Sequence, residues 1–123
     1  MTTPHDSFRG LKVWQKSMDL VEEIYRTTTA FPRDERFGLT AQLRRAAVSI
    51  ASNIGEGKRR KRQRAFLHHL DIALGSQGEV DVQVEIARRV GFIDEPTHQR
   101  LQVQIDEVGR MLNGLITSMQ VEE

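Results

Sequence analysis

No cysteine occurs in the sequence, and this absence limits the sites that the chain can form. Without thiolates it can hold no disulfide and no cysteine-ligated zinc or iron–sulfur centre. Long apolar runs are also missing: the longest ones, such as Ala46 to Val48, fall far short of the roughly 20 residues that span a bilayer. The first residues include no apolar region typical of a signal peptide. We therefore predict a soluble, cytoplasmic protein that does not enter a membrane.

The length of 123 residues is sufficient for one hydrophobic core of its own and leaves no room for a second domain. The apolar periodicity described below begins near residue 11 and ends near residue 120. We predict a single domain over residues 11–120, preceded by a tail of residues 1–10 and followed by a tail of residues 121–123.

The net charge of +1 conceals an uneven distribution of charge along the chain. Residues 32–64 carry ten basic and three acidic side chains, whereas residues 92–123 carry two basic and six acidic ones. A chain that concentrates its positive charge in one stretch has a polarised surface, which suits a polyanionic partner.

Apolar residues recur at spacings of three and four over most of the chain, a period that indicates amphipathic helices. Pro32 ends the first of these segments, Gly57 is placed to end the second, and Asp94 is a natural N-cap for the fourth. The pattern predicts four helices, near residues 11–31, 35–56, 61–90 and 95–120.

The first helix has apolar residues on two sides, one stripe running from Leu11 through Trp14 to Tyr25 and another from Val13 through Ile24. We assign the Trp14 stripe to the bundle interior. The predicted core is Trp14, Leu43, Ile50, Leu70, Val84, Ile105 and Leu112.

One stretch fits a strand as well as a helix, because apolar and polar residues alternate from Val80 to Ile86. Gly75 and Gly78 precede it and could form a turn. A lone strand has no partner in this chain, so we prefer a single long helix in which the two glycines let another helix approach closely.

The strongest functional signal is the basic segment, Lys58 to Arg64, which holds six positive charges in seven residues. Such runs are often solvated connections that bind nothing. Here the run links two helices, and Arg44 and Arg45 lie about three turns earlier on the second helix. Lysine and arginine clusters bind phosphate backbones through counterion release, without reading sequence. The candidate nucleic-acid-binding residues are Arg44, Arg45, Lys58, Arg59, Arg60, Lys61, Arg62 and Arg64.

No constellation in the sequence indicates catalysis. His68 and His69 are neighbours, so on a helix their side chains diverge and cannot chelate one metal ion. The polar stripe that includes Ser49 and Asn53 has no histidine near it in sequence, and helix packing explains it better than a nucleophilic site. We predict that the protein is not an enzyme and binds no metal or cofactor.

Three motifs nevertheless carry a resemblance to a known family, namely FRGLKVWQK from Phe8, QLRRAAVSIASNIGEG from Gln42 and FLHHLDIALGS from Phe66. They resemble the four-helix bundle proteins encoded in intervening sequences of bacterial 23S rRNA genes, over about residues 8–119. The resemblance implies an antiparallel, up-and-down, all-α four-helix bundle that forms a ring-shaped homopentamer without known catalytic activity. A relative of the same fold is the accessory variability protein of diversity-generating retroelements, a basic pentamer thought to bind nucleic acid and a reverse transcriptase.

The sequence itself supports self-association without giving a number of subunits. Ile72, Val82 and Ile86 lie away from the main apolar face of the third helix, and apolar surface of that extent usually finds a partner. The expected partners are therefore further copies of the chain, RNA or DNA, and a protein such as a reverse transcriptase.

Two functions of different classes remain open at this stage. The first is a non-enzymatic, oligomeric module that binds RNA or DNA through phosphate contacts of the basic segment. The alternative is a protein-interaction scaffold in which the basic segment is solvated and binds no nucleic acid.

Overall fold

The computed structural model describes residues 7–121 and contains four α-helices in that range. The parts of the predicted tails at residues 1–6 and 122–123 lie outside the described residues. The helices, in chain order, are α1 (Lys12–Thr29), α2 (Leu39–Arg59), α3 (Gln63–Arg89) and α4 (Glu95–Val121). Two short 3-10 helices, Phe8–Gly10 and Arg33–Glu35, precede α1 and α2.

The helices pack as a four-membered bundle in which each helix contacts two others. Helix α1 packs against α2 and α4, and α3 packs against the same two helices, so that α1 and α3 lie on opposite corners. The short connections make sequential neighbours antiparallel. The prediction of an all-α, antiparallel four-helix bundle is confirmed. We call the end where α2 ends and α3 begins the basic end.

The stretch from Val80 to Ile86 is helical, as preferred over the strand interpretation, and α3 continues through Gly75 and Gly78 without a break. Val80 and Val84 are buried, whereas Val82 and Ile86 lie on the outside of the helix. No strand occurs in residues 7–121 with which this stretch could pair. Its backbone N–H and C=O groups are therefore satisfied by hydrogen bonds within the helix.

Six of the seven predicted core residues are buried at 1% exposure or less, and they are Leu43, Ile50, Leu70, Val84, Ile105 and Leu112. The seventh, Trp14, is only half-buried, so this prediction is wrong. The side of α1 that faces the core carries Val13 and Ile24 together with the polar residues Ser17 and Thr28. The hydroxyls of Ser17 and Thr28 each donate to a carbonyl one turn earlier, at 2.7 Å, which allows them to be buried at this face.

Helix ends agree with the sequence at two of three predicted positions. Helix α1 ends ahead of Pro32, and Asp94 caps α4 by accepting a hydrogen bond from the Thr97 backbone at 2.9 Å. Gly57 does not end α2, which continues two residues further to Arg59. The glycine that does terminate a helix is Gly91 after α3, where its φ of +84° belongs to the left-handed region that favours glycine.

Gly75 and Gly78 do not make the close helix contact that we predicted for them. A Cβ atom at either position would meet no atom within 4 Å, so both glycines face open space in the described chain. The close approaches occur at Gly57 and Gly109 instead, where added Cβ atoms would lie 2.7 Å from His69 and 2.6 Å from Gln77.

Every helix in residues 7–121 is too short or too polar to traverse a lipid bilayer.

Candidate nucleic-acid interface

The basic segment forms the junction between α2 and α3 at the basic end of the bundle. Lys58 and Arg59 belong to the last turn of α2, Arg62 is the N-cap residue of α3, and Arg64 lies in the first turn of α3. The connection between the helices is therefore only three residues long, from Arg60 to Arg62. Three of the six basic residues consequently form the tight turn, and the other three lie in the helical turns on either side of it.

The backbone of this turn depends on one unusual residue. Lys61 has a φ of +63°, and it is the one residue other than glycine with positive φ in the described chain. The preceding residue closes α2, because the Arg60 amide donates to the Gly57 carbonyl at 3.2 Å. On the other side, the Phe66 amide donates to the Arg62 carbonyl at 2.9 Å and starts α3. The reversal of the chain thus falls on Lys61.

Helices α2 and α3 come close together next to this turn because position 57 has no side chain. Gly57 is buried, and a Cβ atom there would lie 2.7 Å from the His69 Cβ and 2.9 Å from Phe66 Cδ1. The sequence suggested that Gly57 ends α2. In the structure, Gly57 instead leaves space for the His69 and Phe66 side chains of α3. A larger residue would push apart the two helices that present the basic side chains.

Most positive charge in the basic segment is not neutralised by the protein. Among residues 7–121, Arg60 is the one member that forms an ion pair, with Glu56 at 2.8 Å. Elsewhere on the bundle, arginines are commonly matched with glutamates, and those that form such pairs are Arg26, Arg88, Arg89 and Arg100. The charge distribution predicted from the sequence therefore corresponds to a local excess of unpaired cations on the folded surface.

Helix dipoles add little to this excess. The amino-terminal end of the α3 dipole is positive, but α2 ends at the same place and contributes the negative carboxyl-terminal end of its own dipole. The two contributions oppose each other, so the field at the basic end comes mainly from the side chains.

Arg44 and Arg45 are not brought together with the basic segment. They lie about 20 Å from Lys58 along α2, because a helix rises about 1.5 Å per residue. Arg44 is engaged inside the monomer, where its Nε donates to Thr28 Oγ1 at 2.8 Å and its guanidinium stacks on the Tyr25 ring at 4.6 Å. Arg45 is exposed to solvent. Any joint action of these two residues with the basic segment therefore requires a ligand longer than that distance.

Two hollows flank the carboxyl-terminal turn of α2. One is a cavity of about 220 Å³ on the α3 side, between Lys58, Lys61 and Phe66. The other is a groove of about 380 Å³ on the α1 side, where the rings of Phe8 and Trp14 meet edge to face beside Arg59. Sequence reasoning missed both hollows, because each joins residues from elements distant in the chain.

Phe8 belongs to the stretch that we assigned to an amino-terminal tail, yet it is part of this groove. Its ring lies 3.5 Å from where a Cβ of Gly55 would be, and the Arg9 guanidinium stacks on the same ring at 4.6 Å. The groove therefore combines aromatic surface with one basic residue, Arg59, and one acidic residue, Glu56, next to the basic segment.

Ser49 and Asn53 form a polar network between α2 and α3. Asn53 Nδ2 donates to the Ser49 carbonyl and hydroxyl, and the Ser49 hydroxyl lies 2.8 Å from the hydroxyl of Ser76. His69 Nδ1 lies 2.9 Å from Asn53 Oδ1, and an amide oxygen only accepts, so this ring nitrogen carries the proton. The helix-packing interpretation of this stripe fits these contacts, but its histidine could not be foreseen because it lies on another helix.

These groups do not form an arrangement suited to nucleophilic catalysis, because His69 contacts an amide and neither serine. Within residues 7–121 no cluster of three or more histidine, aspartate or glutamate side chains is placed to hold a metal ion. The polar network is therefore a structural link between α2 and α3 that begins in the middle of both helices.

Comparisons with known proteins support the fold and assign the family. No curated protein matches the chain. A crystal structure from Bacteroides thetaiotaomicron, described as a protein with unknown function from the S23 ribosomal protein family, superposes with a TM-score of 0.79. It is 23% identical and covers 85% of this chain and 95% of its own, so the likeness shows the fold alone. Residues 9–114 match the family described as 23S rRNA-intervening sequence protein, and the chain belongs to that family.

Proposed function

We propose that this protein is a non-enzymatic module that binds RNA or DNA through phosphate contacts of the basic segment. The observation that carries the proposal is the set of six positive side chains at one turn, of which only Arg60 has an acidic partner among residues 7–121. Unpaired cations that are held together can each replace a condensed counterion of a phosphate backbone, which favours binding without sequence readout.

The descriptions of the family and of the solved relative suggest the first ligand to test. One refers to 23S rRNA and the other to a ribosomal protein family, so single-stranded RNA and duplex RNA are the natural probes. Backbone contacts do not distinguish strongly between RNA and DNA, and we therefore expect both to bind.

We also propose that the module acts as a homo-oligomer. Val82 and Ile86 are 61% and 43% exposed on the outer side of α3, and Ile72 on the same side is 40% exposed. A second copy that covers this stripe would remove apolar surface from water. The family resemblance implies five subunits, and a cyclic assembly would repeat the basic segment around one rim.

The binding proposal is tested by measuring oligonucleotide affinity at a series of salt concentrations. If six charges each meet a phosphate, the slope of log affinity against log salt is about −4 to −5, and it is steeper if several subunits engage one strand. The test variant replaces Arg59, Arg60 and Arg62 with glutamate. We expect it to lose binding while its melting temperature stays close to that of the parent, because these side chains are exposed and an exposed pair such as Arg60–Glu56 contributes little to stability.

A matched control changes three exposed arginines outside the basic segment by the same amount of charge. Arg33, Arg36 and Arg110 form no ion pair among the described residues and suit this purpose. Their replacement by glutamate should weaken binding much less than the triple variant in the basic segment. The proposal is wrong if the parent binds no RNA or DNA at low salt, or if both triple variants bind alike. A specific protein captured without nucleic acid would favour the scaffold instead.

Self-association is tested by light scattering on the parent and on Val82→Glu. The parent should have a mass several times the subunit mass of 14.1 kDa, and the variant should approach that subunit mass. A parent of about 14.1 kDa at micromolar concentration would refute the oligomer.

A further inference from the structure

A cavity of about 220 Å³ opens at the basic end between the last turn of α2, the first turns of α3 and the carboxyl-terminal turn of α4. Gly57 and Phe66 contribute to its wall, and Gln63 closes one side by donating from Nε2 to the Met119 carbonyl at 2.7 Å. The cavity is therefore built from three helices of the bundle and is not simply a gap in a loop.

Its lining is positively charged. Lys58, Lys61 and Arg62 reach the cavity, and no acidic residue within residues 7–121 lines it. None of these three residues forms an ion pair with another described residue. Three cationic residues that line one small space repel one another, and an anion bound between them relieves that repulsion. The occupant that fits the charge is thus a compact anion of more than one negative charge.

Size and charge narrow the class of ligand. Pockets for drug-sized molecules have volumes of about 300 to 1,000 Å³, so this cavity suits something smaller, such as one phosphate group and part of its sugar. A phosphate monoester carries about −1.5 to −2 charges at neutral pH, whereas each phosphodiester inside a strand carries one. The monoester form exists only where a strand ends.

We propose that this cavity binds the terminal phosphate monoester of an RNA or DNA strand whose internal phosphates contact the rest of the basic segment. The inference rests on the proposed function and deepens it, since it adds a preference for strand ends to general backbone binding. Neither Arg59 nor Arg60 lines the cavity, because Arg59 lies in the groove on the α1 side and Arg60 pairs with Glu56.

The backbone at Lys61 makes a clean test variant possible. Asparagine tolerates the left-handed conformation better than most residues, so Lys61→Asn removes the charge while keeping the φ of +63°. Combined with Lys58→Gln, it takes two positive charges from the cavity. The matched control, Arg59→Gln with Arg60→Gln, takes two positive charges from the same turn but none from the cavity.

The experiment measures fluorescence anisotropy with one RNA sequence in three forms: 5′-phosphate, 3′-phosphate, and hydroxyl at both ends. The parent should bind at least one phosphate-ended form about tenfold more tightly than the hydroxyl-ended form, as expected for added charge-assisted hydrogen bonds. The cavity variant should bind all three forms alike. The control variant should bind all of them more weakly and keep the preference. A nucleoside monophosphate, used as competitor, should displace the strand poorly because it lacks internal phosphates.

The outcomes separate this inference from the proposed function. If the parent binds all three forms equally, the cavity has no terminal-phosphate role, while backbone binding stands. If the control variant loses the preference as completely as the cavity variant does, the preference comes from total charge and the cavity is not the site. Displacement by the monophosphate as effective as by the phosphate-ended strand would identify a free nucleotide as ligand and overturn the strand-end assignment. If the parent binds none of the three forms, the proposed function is wrong, and this inference is wrong with it.

Discussion

Gly57 of α2 lies against His69 of α3 so closely that a Cβ atom at position 57 would stand 2.7 Å from the His69 Cβ. The same atom would stand 2.9 Å from a ring carbon of Phe66. Contacts this short do not occur between real carbon atoms, so the two helices can pack as they do only with glycine at this position. The contact lies near the end of α2, one residue before Lys58. It therefore sets the spacing between α2 and α3 where the basic segment connects them.

Replacing Gly57 with alanine should destabilise the protein by about 1 to 3 kcal/mol, since overpacking in a close contact costs that amount. The control is Gly75→Ala on α3, where the new methyl group meets no atom within 4 Å. That change should stabilise the helix by up to about 1 kcal/mol, the difference in helix propensity. Urea unfolding followed by circular dichroism measures both, and equal effects of the two substitutions would contradict the contact.

The hydroxyl pair Ser49 and Ser76 should show strong coupling in a double-mutant cycle. Ser76 is 5% exposed, so Ser49→Ala leaves its hydroxyl without this partner and should cost about 1 to 3 kcal/mol. The double variant Ser49→Ala with Ser76→Ala removes both polar groups. Its loss in the free energy of unfolding should be smaller than the sum of the losses in the two single variants. Strictly additive free energies of unfolding would show that the two hydroxyls do not interact.

Truncation of Leu112 should test the position of the core on α4. Its side chain is fully buried, and Leu112→Ala should lower the free energy of unfolding by about 2 to 5 kcal/mol through lost burial and a cavity. Val103 lies on the outer side of the same helix and is 64% exposed, so Val103→Ala should change stability by less than about 0.5 kcal/mol in the monomer. A larger loss of stability for Val103→Ala than for Leu112→Ala would contradict the burial of the Leu112 side of α4.

Arg44 should contribute to stability, in contrast to its neighbour on the helix. Arg44→Ala removes the hydrogen bond to the buried Thr28 hydroxyl and the stacking on Tyr25, and it should cost about 1 to 2 kcal/mol. Arg45→Ala removes an exposed side chain and should change stability by less than about 0.5 kcal/mol. Thermal unfolding of the two variants under the same conditions measures both effects. Equal stabilities of the two variants would contradict a structural role of Arg44.

Acid should destabilise the end of the bundle opposite the basic end. The hydrogen bond from Arg89 lowers the pKa of Glu85, with His98 at 3.3 Å as a second partner, and the hydrogen bond from Arg88 lowers the pKa of Glu95. Because each pKa is lower in the folded chain, both carboxylates stabilise it fully above their ordinary value of 4.5. This contribution is lost as the pH falls through the lowered values.

The melting temperature should accordingly fall as the pH drops below about 4.5, and less so at high salt, which screens exposed pairs. Glu85→Gln should make this dependence shallower. Glu79 on the same helix is exposed and forms no ion pair among residues 7–121, so Glu79→Gln serves as the control and should leave the slope unchanged. Identical pH profiles for the parent and both variants would contradict the role of Glu85.

Helix number, approximate helix positions and most of the core were determined by the sequence alone. Apolar residues such as Leu43, Ile105 and Leu112 recur at helical spacing on one side, and burial of that side is the dominant favourable term in folding. The basic segment could also be identified from the sequence, because residues that are consecutive in the chain stay close together in any fold. Local patterns are sufficient where the physical cause is itself local.

The tertiary structure decided what depends on neighbours from other helices. Helix α1 carries two apolar stripes, and only packing against α2 and α4 determined that Val13 faces the core while Trp14 lies half-buried beside Phe8. The close contacts at Gly57 and the open space at Gly75 could not be told apart in the sequence, since both are glycines in helical segments. The cavity at the basic end arises for the same reason: its walls come from three helices, and their distances are set by how the side chains interlock, which no single segment specifies.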